Sequence, residues 1–497
     1  VIPFLRFGHA LPSYPRLTLP TRQATFWQAA QLPSAHVNST GSDSLLTQTA
    51  SKTTQVLDQF EKSSEPHRLY ATLHKLLPPA GRKQLNRLME KGILTHSKAE
   101  DKHSTLYHLH ALVDKPRQKG YEGTELLREV VEILDHPSFI TQKFAPLSDR
   151  AIQKILAYRQ HPESDPQYGS IKTRSQRPLA ADDLDVDVSA TCPAACIMYC
   201  VAVKEPAEFV RHIAELTSPA NSFSIKANLQ QISPEAPAKA VEILQAKGIP
   251  FHRSAPNELT LQVQVPTAGI LRAVEDQHAK PGHSYRNAVE SIYQSALMHL
   301  ATNTYDPATD LRGEMEMPDN TSKGLSADDR NFVENIFKRN VQLVTCQSIA
   351  YDEVSDKNYL EGYYRTFEET ETDLKAELDK GNFVIVGLLD TNDKAQIDLG
   401  HVVTLTKAFH DPVTGKLKFL LADSDNDSSN LVSKDANKLI PRIHHASVST
   451  DRARPILQKI ARLPGILVPD EHDEKKYKIP TILKTTKIEL PNPFRKC

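Results

Sequence analysis

The chain predicts an α+β fold, and three observations carry that prediction. Apolar residues recur at helical spacing between Leu69 and Leu156, and again in several segments between Cys192 and Lys380. The period then changes to that of a strand in Asn382-Phe383-Val384-Ile385-Val386-Gly387-Leu388-Leu389. A hairpin pattern follows, from His401 to Ala422 around the turn Asp411-Pro412-Val413-Thr414-Gly415. Helices first and antiparallel strands afterwards mark α+β rather than alternating units.

Residues 1–64 are rich in Ser, Thr, Pro and Gln with few regularly spaced apolar positions. Such a composition buries too little surface to order itself, so this stretch reads as a disordered or extended leader. From 65 to 160 a helical accessory domain is expected. Leu69, Leu73, Leu76 and Leu77 form a stripe ended by Pro78-Pro79, and Leu85, Leu88 and Met89 continue to Gly92. Leu126, Leu127, Val130, Val131 and Leu134 form another, and Ser148 is placed to cap a helix bearing Ile152, Ile155 and Leu156. Residues 161–188 lack periodicity and read as a linker.

The main domain is expected over 189–450, with 451–497 as a C-terminal extension. Its first helix should run from Cys192 to about Lys204, and Pro206 suits the first turn of the next, which carries Phe209, Ile213 and Leu216. Further helices are expected at Ser233–Lys247, Ser284–Leu300, Ser326–Lys338 and Thr370–Lys380.

Charge is balanced, with 60 basic against 61 acidic residues, so no long-range field selects nucleic acid or an anionic membrane as partner. No apolar run approaches the roughly 20 residues of a membrane-spanning helix. The chain therefore reads as soluble. Five cysteines in 497 residues, three of them within nine, do not make a disulfide framework and fit a reducing compartment such as the cytoplasm. The first residue is valine, compatible with a removed targeting segment, so the compartment stays open. Oligomeric state is not legible.

Cysteine at a helix start and histidine in a later strand suggest a nucleophile and its base. A thiol attacks poorly at neutral pH unless its pKa is lowered, which a helix N-terminus and a nearby imidazolium both do. Cys192 and His401 are that pair. Reflecting one hairpin strand onto the other brings His401 opposite a residue between Asp423 and Asp425. Paired side chains lie about 5 Å apart at Cβ, and a slip of one residue turns the carboxylate away. Asp423 is the expected orienting acid and Asp425 the reserve. A carboxylate accepting the Nδ1 proton would leave Nε2 to face the thiol.

Competing readings are weaker. Cys196 and Cys200 follow Cys192 at four-residue spacing, which suits packing and not the two-residue separations of zinc or iron–sulfur ligands, so no metal is expected. His67, His74, His108, His110, His444 and His445 read as ordinary surface or core residues. The acidic run from Asp423 to Asn430 lacks the central glycine and the twelfth-position glutamate of a calcium loop, where Lys434 stands.

The order Cys, His, Asp resembles the papain-like cysteine peptidase superfamily. Lys380-Gly381-Asn382-Phe383-Val384-Ile385-Val386-Gly387, Gly400-His401-Val402-Val403 and Leu420-Leu421-Ala422-Asp423 look particularly like its bacterial members. The resemblance covers about 189 to 430 and implies a helical lobe followed by an antiparallel sheet. It also implies acyl transfer through a thioester on Cys192, with His401 as base and acid, Asp423 as orienting group and no cofactor. Backbone amides at the start of the Cys192 helix would then stabilise the oxyanion. The family places a glutamine a few residues ahead of the cysteine, and none stands between Asp185 and Thr191. Gln176 is the nearest upstream in sequence, so the second donor is expected from Thr191, from Ser189 or from elsewhere. His401 stands 209 positions after Cys192. The papain pattern spans roughly 130 to 150, so an insertion is expected over about 220–340.

The function so implied is a cysteine peptidase cleaving peptide or isopeptide bonds in a protein or peptide substrate. The alternatives are a transglutaminase or acyltransferase with the same triad, and a catalytically silent binding or structural protein on the same fold.

Overall fold

The computed structural model describes residues 64–143, 191–233, 236–277, 285–302, 305–306, 311–312, 325, 327–337, 339–342, 348–352, 357–362, 366–391, 397–425 and 431–449, with 152, 153 and 157 as isolated helical residues. The leader over 1–63, most of the helix expected after Ser148, the linker at 161–188, Ser189, the run 426–430 and the extension from 451 lie outside the described residues.

The fold is mixed helix and sheet, and its sheets are antiparallel. Helices α1 (Glu65–Leu76), α2 (Pro79–Glu90), α3 (Ile93–His96), α4 (Thr105–Asp114) and α5 (Gly123–Asp135) come first. Pro78-Pro79 both end α1 and start α2, because proline at a first helical position forgoes an amide that had no partner there. α4 was not anticipated. It buries His108 among Leu106, Leu109 and Leu112, and an imidazole within the apolar stripe conceals the helical period.

Next come α6 (Cys192–Lys204), α7 (Pro206–Leu216), β1 (Ser222–Asn228), α8 (Leu229–Ile232), α9 (Ala240–Ala246), β2 (Phe251–Ala255), β3 (Glu258–Gln264), α10 (Thr267–Gln277) and α11 (Ala288–Ala301). Strands β1, β3 and β2 form a three-stranded sheet in that order, which was not anticipated although Phe223, Ile225 and Ala227 alternate inward. The helix expected over Ser233–Lys247 is shorter. Pro237 opens a 3₁₀ turn, and α-helix begins only at Ala240. α11 starts at Ala288 because Asn287 and Glu290 form a reciprocal capping box.

The remaining elements are β4 (Tyr305–Asp306), β5 (Leu311–Arg312), α12 (Ala327–Ile336), β6 (Arg339–Gln342), β7 (Ser348–Asp352), β8 (Lys357–Gly362), α13 (Phe367–Asp379), β9 (Val384–Thr391), β10 (Ile397–His410), β11 (Leu417–Ala422), β12 (Val432–Asp435), α14 (Ala436–Leu439) and β13 (Ile443–Ser449). The main sheet has the order β12-β11-β10-β9-β13-β6. It divides two apolar cores. On one face Val384, Val386, Leu388, Val403, Leu405 and Phe419 pack with Leu374 and Leu378 of α13. On the other, Ile385, Val402 and Ala422 join a larger core shared by α1–α7, β1, β3 and α11. Helices from the stretch read as an accessory domain, and strands from the stretch read as an insertion, thus bury their apolar faces in the same core as the Cys192 helix. No described helix is long and apolar enough to cross a membrane.

Candidate functional site

α6 is apolar on nearly every side and is buried from Cys192 to Ala202. Alanine and cysteine keep its surface narrow, so it can lie close to the sheet. Cys196 Sγ donates to the Val402 carbonyl at 3.4 Å and ties the helix to β10. One helical turn back stands Cys192, and one strand residue back stands His401. The two lie close enough that Cys192 helps to raise the proton affinity of the His401 ring.

His401 Nε2–H donates to Asp423 Oδ1 at 2.7 Å. The expected assignment of nitrogens is therefore reversed: the carboxylate takes Nε2, and Nδ1 is left for Cys192. The strand carrying His401 also begins earlier than expected, at Ile397, which places the ring inside β10 rather than at its start. Between Leu405 and Lys407 the β10–β11 register shifts by a bulge, and the ladder ends at the Thr404–Ala422 pair. Continued, that register would set Asp425 opposite His401. The strands part instead, and Asp423 reaches the ring diagonally.

Asp425 does not take the reserve role. Its carboxylate lies 3.7 Å from Lys143 Nζ, and its backbone N–H donates to Asp423 Oδ1 at 3.1 Å. Burial works against a charged His401 ring, but hydrogen bonds to Asp423 and Cys192 outweigh it and push the ring up to about 10. Burial likewise opposes the Asp423 charge, yet the His401 contact holds that carboxyl below its ordinary value.

Thr191, the residue before the helix, is fully buried, and its hydroxyl is engaged within the protein. It donates to Gln294 Oε1 at 2.7 Å and accepts from Arg286 Nη2. Thr191 is therefore not the second donor expected from the sequence. The helix has no side-chain cap, and among the described residues no acceptor takes the Cys192 N–H.

A glutamine that sequence proximity did not indicate stands nearby. Gln142 follows a short 3₁₀ turn (Pro137–Phe139), and its backbone N–H donates to the Ser424 carbonyl at 3.0 Å. Its Oε1 accepts from Ser424 Oγ at 3.3 Å, and its carbonyl accepts from the Arg286 Nη2 that also binds Thr191. Its Nε2 makes no hydrogen bond among the described residues and is not sealed from solvent. Lying 50 positions ahead of Cys192, it could be found only by folding.

Cys196 and Cys200 are buried, and burial pushes the Cys196 thiol far up. Among the described residues no group of three or more His, Cys, Asp or Glu side chains is arranged to hold a metal. The arrangement thus provides a thiol at a helix start, a ring that exchanges protons beside it, an acid behind the ring, and an amide nitrogen without a partner among the described residues. No protein-family model, curated protein or solved structure matches this chain.

Proposed function

We propose that this chain is a papain-like cysteine hydrolase that cleaves peptide or isopeptide bonds through Cys192, His401 and Asp423. The observation that carries the reading is the shared ring: His401 bonds Asp423 through Nε2 at 2.7 Å and lies close enough to Cys192 that the cysteine raises its proton affinity. Anchored through Nε2, the ring leaves Nδ1 to exchange a proton with the thiol, and a ring held charged up to about 10 keeps that proton at neutral pH. Asp423 then stabilises the imidazolium.

Attack of that sulfur on an acyl carbon forms a C–S bond and a tetrahedral oxyanion. The Cys192 amide is available to it, and Gln142 Nε2 serves as the second donor. Collapse expels the amine, which takes its proton from His401. Water, deprotonated by the same ring, then releases the acid and restores the thiol.

An amine in place of that water would make the chain an acyltransferase, so the test includes both acceptors. Purified protein is incubated with a diverse peptide mixture, with and without a labelled primary amine, and products are read by mass spectrometry. Cleavage lost in Cys192→Ser is the expected result. Amine incorporation without cleavage would replace hydrolysis by transfer, and turnover retained in Cys192→Ser would overturn the assignment.

A further inference from the structure

Three segments distant in sequence meet behind the triad, and the side chains that join them come from α11 and the residues before it. The Arg286 backbone N–H donates to the Lys143 carbonyl at 2.8 Å, while its Nη2 donates to the Gln142 carbonyl at 2.6 Å and to Thr191 Oγ1. Gln294 accepts from Thr191 Oγ1 at 2.7 Å and donates through Nε2 to the Thr141 carbonyl at 2.8 Å. Glu290 Oε1 accepts the Thr141 N–H at 2.7 Å. Thr141 Oγ1 and the Gln142 N–H both donate to the Ser424 carbonyl, at 2.9 and 3.0 Å.

Arg286, Gln294, Glu290, Thr141, Gln142, Thr191 and Ser424 are all buried. Thr191 immediately precedes Cys192, and Ser424 immediately follows Asp423. One continuous hydrogen-bonded strut therefore joins the nucleophile's helix to the acid's turn without passing through either reacting side chain.

We propose that Arg286 and Gln294 are positioning residues that set the distance between Cys192 and the His401–Asp423 pair by gripping the Thr191 hydroxyl and the 141–143 segment together. The inference rests on the hydrolase reading. A guanidinium suits the task, because one nitrogen can serve a carbonyl and a hydroxyl while the planar group holds a fixed orientation. Burial adds to the cost of release, since each group freed from the strut would lose its partner without gaining water.

The test removes one oxygen. Thr191→Val keeps the volume and deletes the hydroxyl that both residues grip, and Thr191→Ser restores it. The readout is the rate of Cys192 alkylation by iodoacetamide in the full chain, from pH 5 to 10, located by peptide mapping. Thr191→Val should slow alkylation by roughly 10- to 100-fold near pH 6, where the reaction needs the His401 ring held beside the sulfur, and recover toward parent rates near pH 10. Thr191→Ser should restore the parent profile. If Thr191→Val fails to fold, Arg286→Lys, which keeps the charge but loses the planar fork, is read in the same way.

A parent-like profile in a folded variant overturns the proposal, and so does a uniform slowing at every pH, which a merely structural role would give. Failure of the unsubstituted chain to alkylate Cys192 ahead of its other cysteines would instead overturn the hydrolase reading.

Discussion

His401 presents Nε2 to Asp423 at 2.7 Å, and this fixes which ring nitrogen serves Cys192. A ring anchored through Nε2 carries its neutral-state proton there, so Nδ1 is the lone-pair nitrogen on the thiol side. Because Asp423 is itself held by the Asp425 N–H at 3.1 Å, the carboxylate is oriented from the turn as well as from the ring.

That anchoring predicts a pH effect. The folded ring keeps its proton up to about 10, above the ordinary histidine value. The stability it contributes is fully present below the unfolded value and is lost as pH climbs through the folded one. Replacing Asp423 by Asn removes the negative partner and should lower the His401 midpoint by about one unit or more, followed by NMR of the ring carbon-bound protons. An unmoved midpoint would mean that the carboxylate does not hold the charge.

Two cysteines one turn apart should behave differently. Cys192 is 8% exposed and lies near His401, whereas Cys196 is 2% exposed and engaged with the Val402 carbonyl. Cys192→Ser should abolish rapid labelling near neutral pH with little change in thermal midpoint. Cys196→Ser should preserve labelling and lower the midpoint, because the shorter C–O bond draws the donor back from the Val402 carbonyl and leaves a hydroxyl less well bonded in the core. Loss of labelling in folded Cys196→Ser alone would contradict the division of roles.

Gly387 lies in the centre of the main sheet, paired with Val402 on one side and His445 on the other. A methyl group there would meet His444 Nε2 at 2.6 Å and two ring carbons at 3.1 and 3.2 Å, so the whole ring would have to move. Gly387→Ala should therefore cost about 1–3 kcal/mol, measured by denaturant unfolding. A neutral result would show that the His444 ring has room to withdraw.

Buried acids and histidines predict a stability optimum. Burial pushes Glu129 and Glu290 up to about 8, so each keeps a proton in the fold that the unfolded chain releases near its ordinary value. Their contribution declines as pH rises through that window. Burial pushes His299 and His445 down to about 4, and His212 and His444 well down, so their contribution is lost as pH falls below the ordinary histidine value. The thermal midpoint should peak at about pH 6.5. Glu129→Gln should gain stability over the parent at pH 8 relative to pH 5. An identical shift at both values would mean that the carboxyl is already charged in the fold.

Local pattern carried much of this protein. The apolar period and Pro193 place α6 with Cys192 at its first position, the run after Asn382 is β9, and the turn at Asp411–Gly415 joins β10 to β11 so that the stretch 423–425 follows the ladder beside His401. Periodicity and turn chemistry act over a few residues, so they are legible in one chain. Tertiary structure alone decided that His401 bonds its acid through Nε2, that Thr191 is spent on Arg286 and Gln294, and that Gln142 arrives beside Ser424. Each of those outcomes is a choice among buried hydrogen-bond partners supplied by remote segments. Nothing in the spacing of neighbouring residues encodes which remote donor will reach a given acceptor, because packing selects it only after the helices and the sheet have closed on one another.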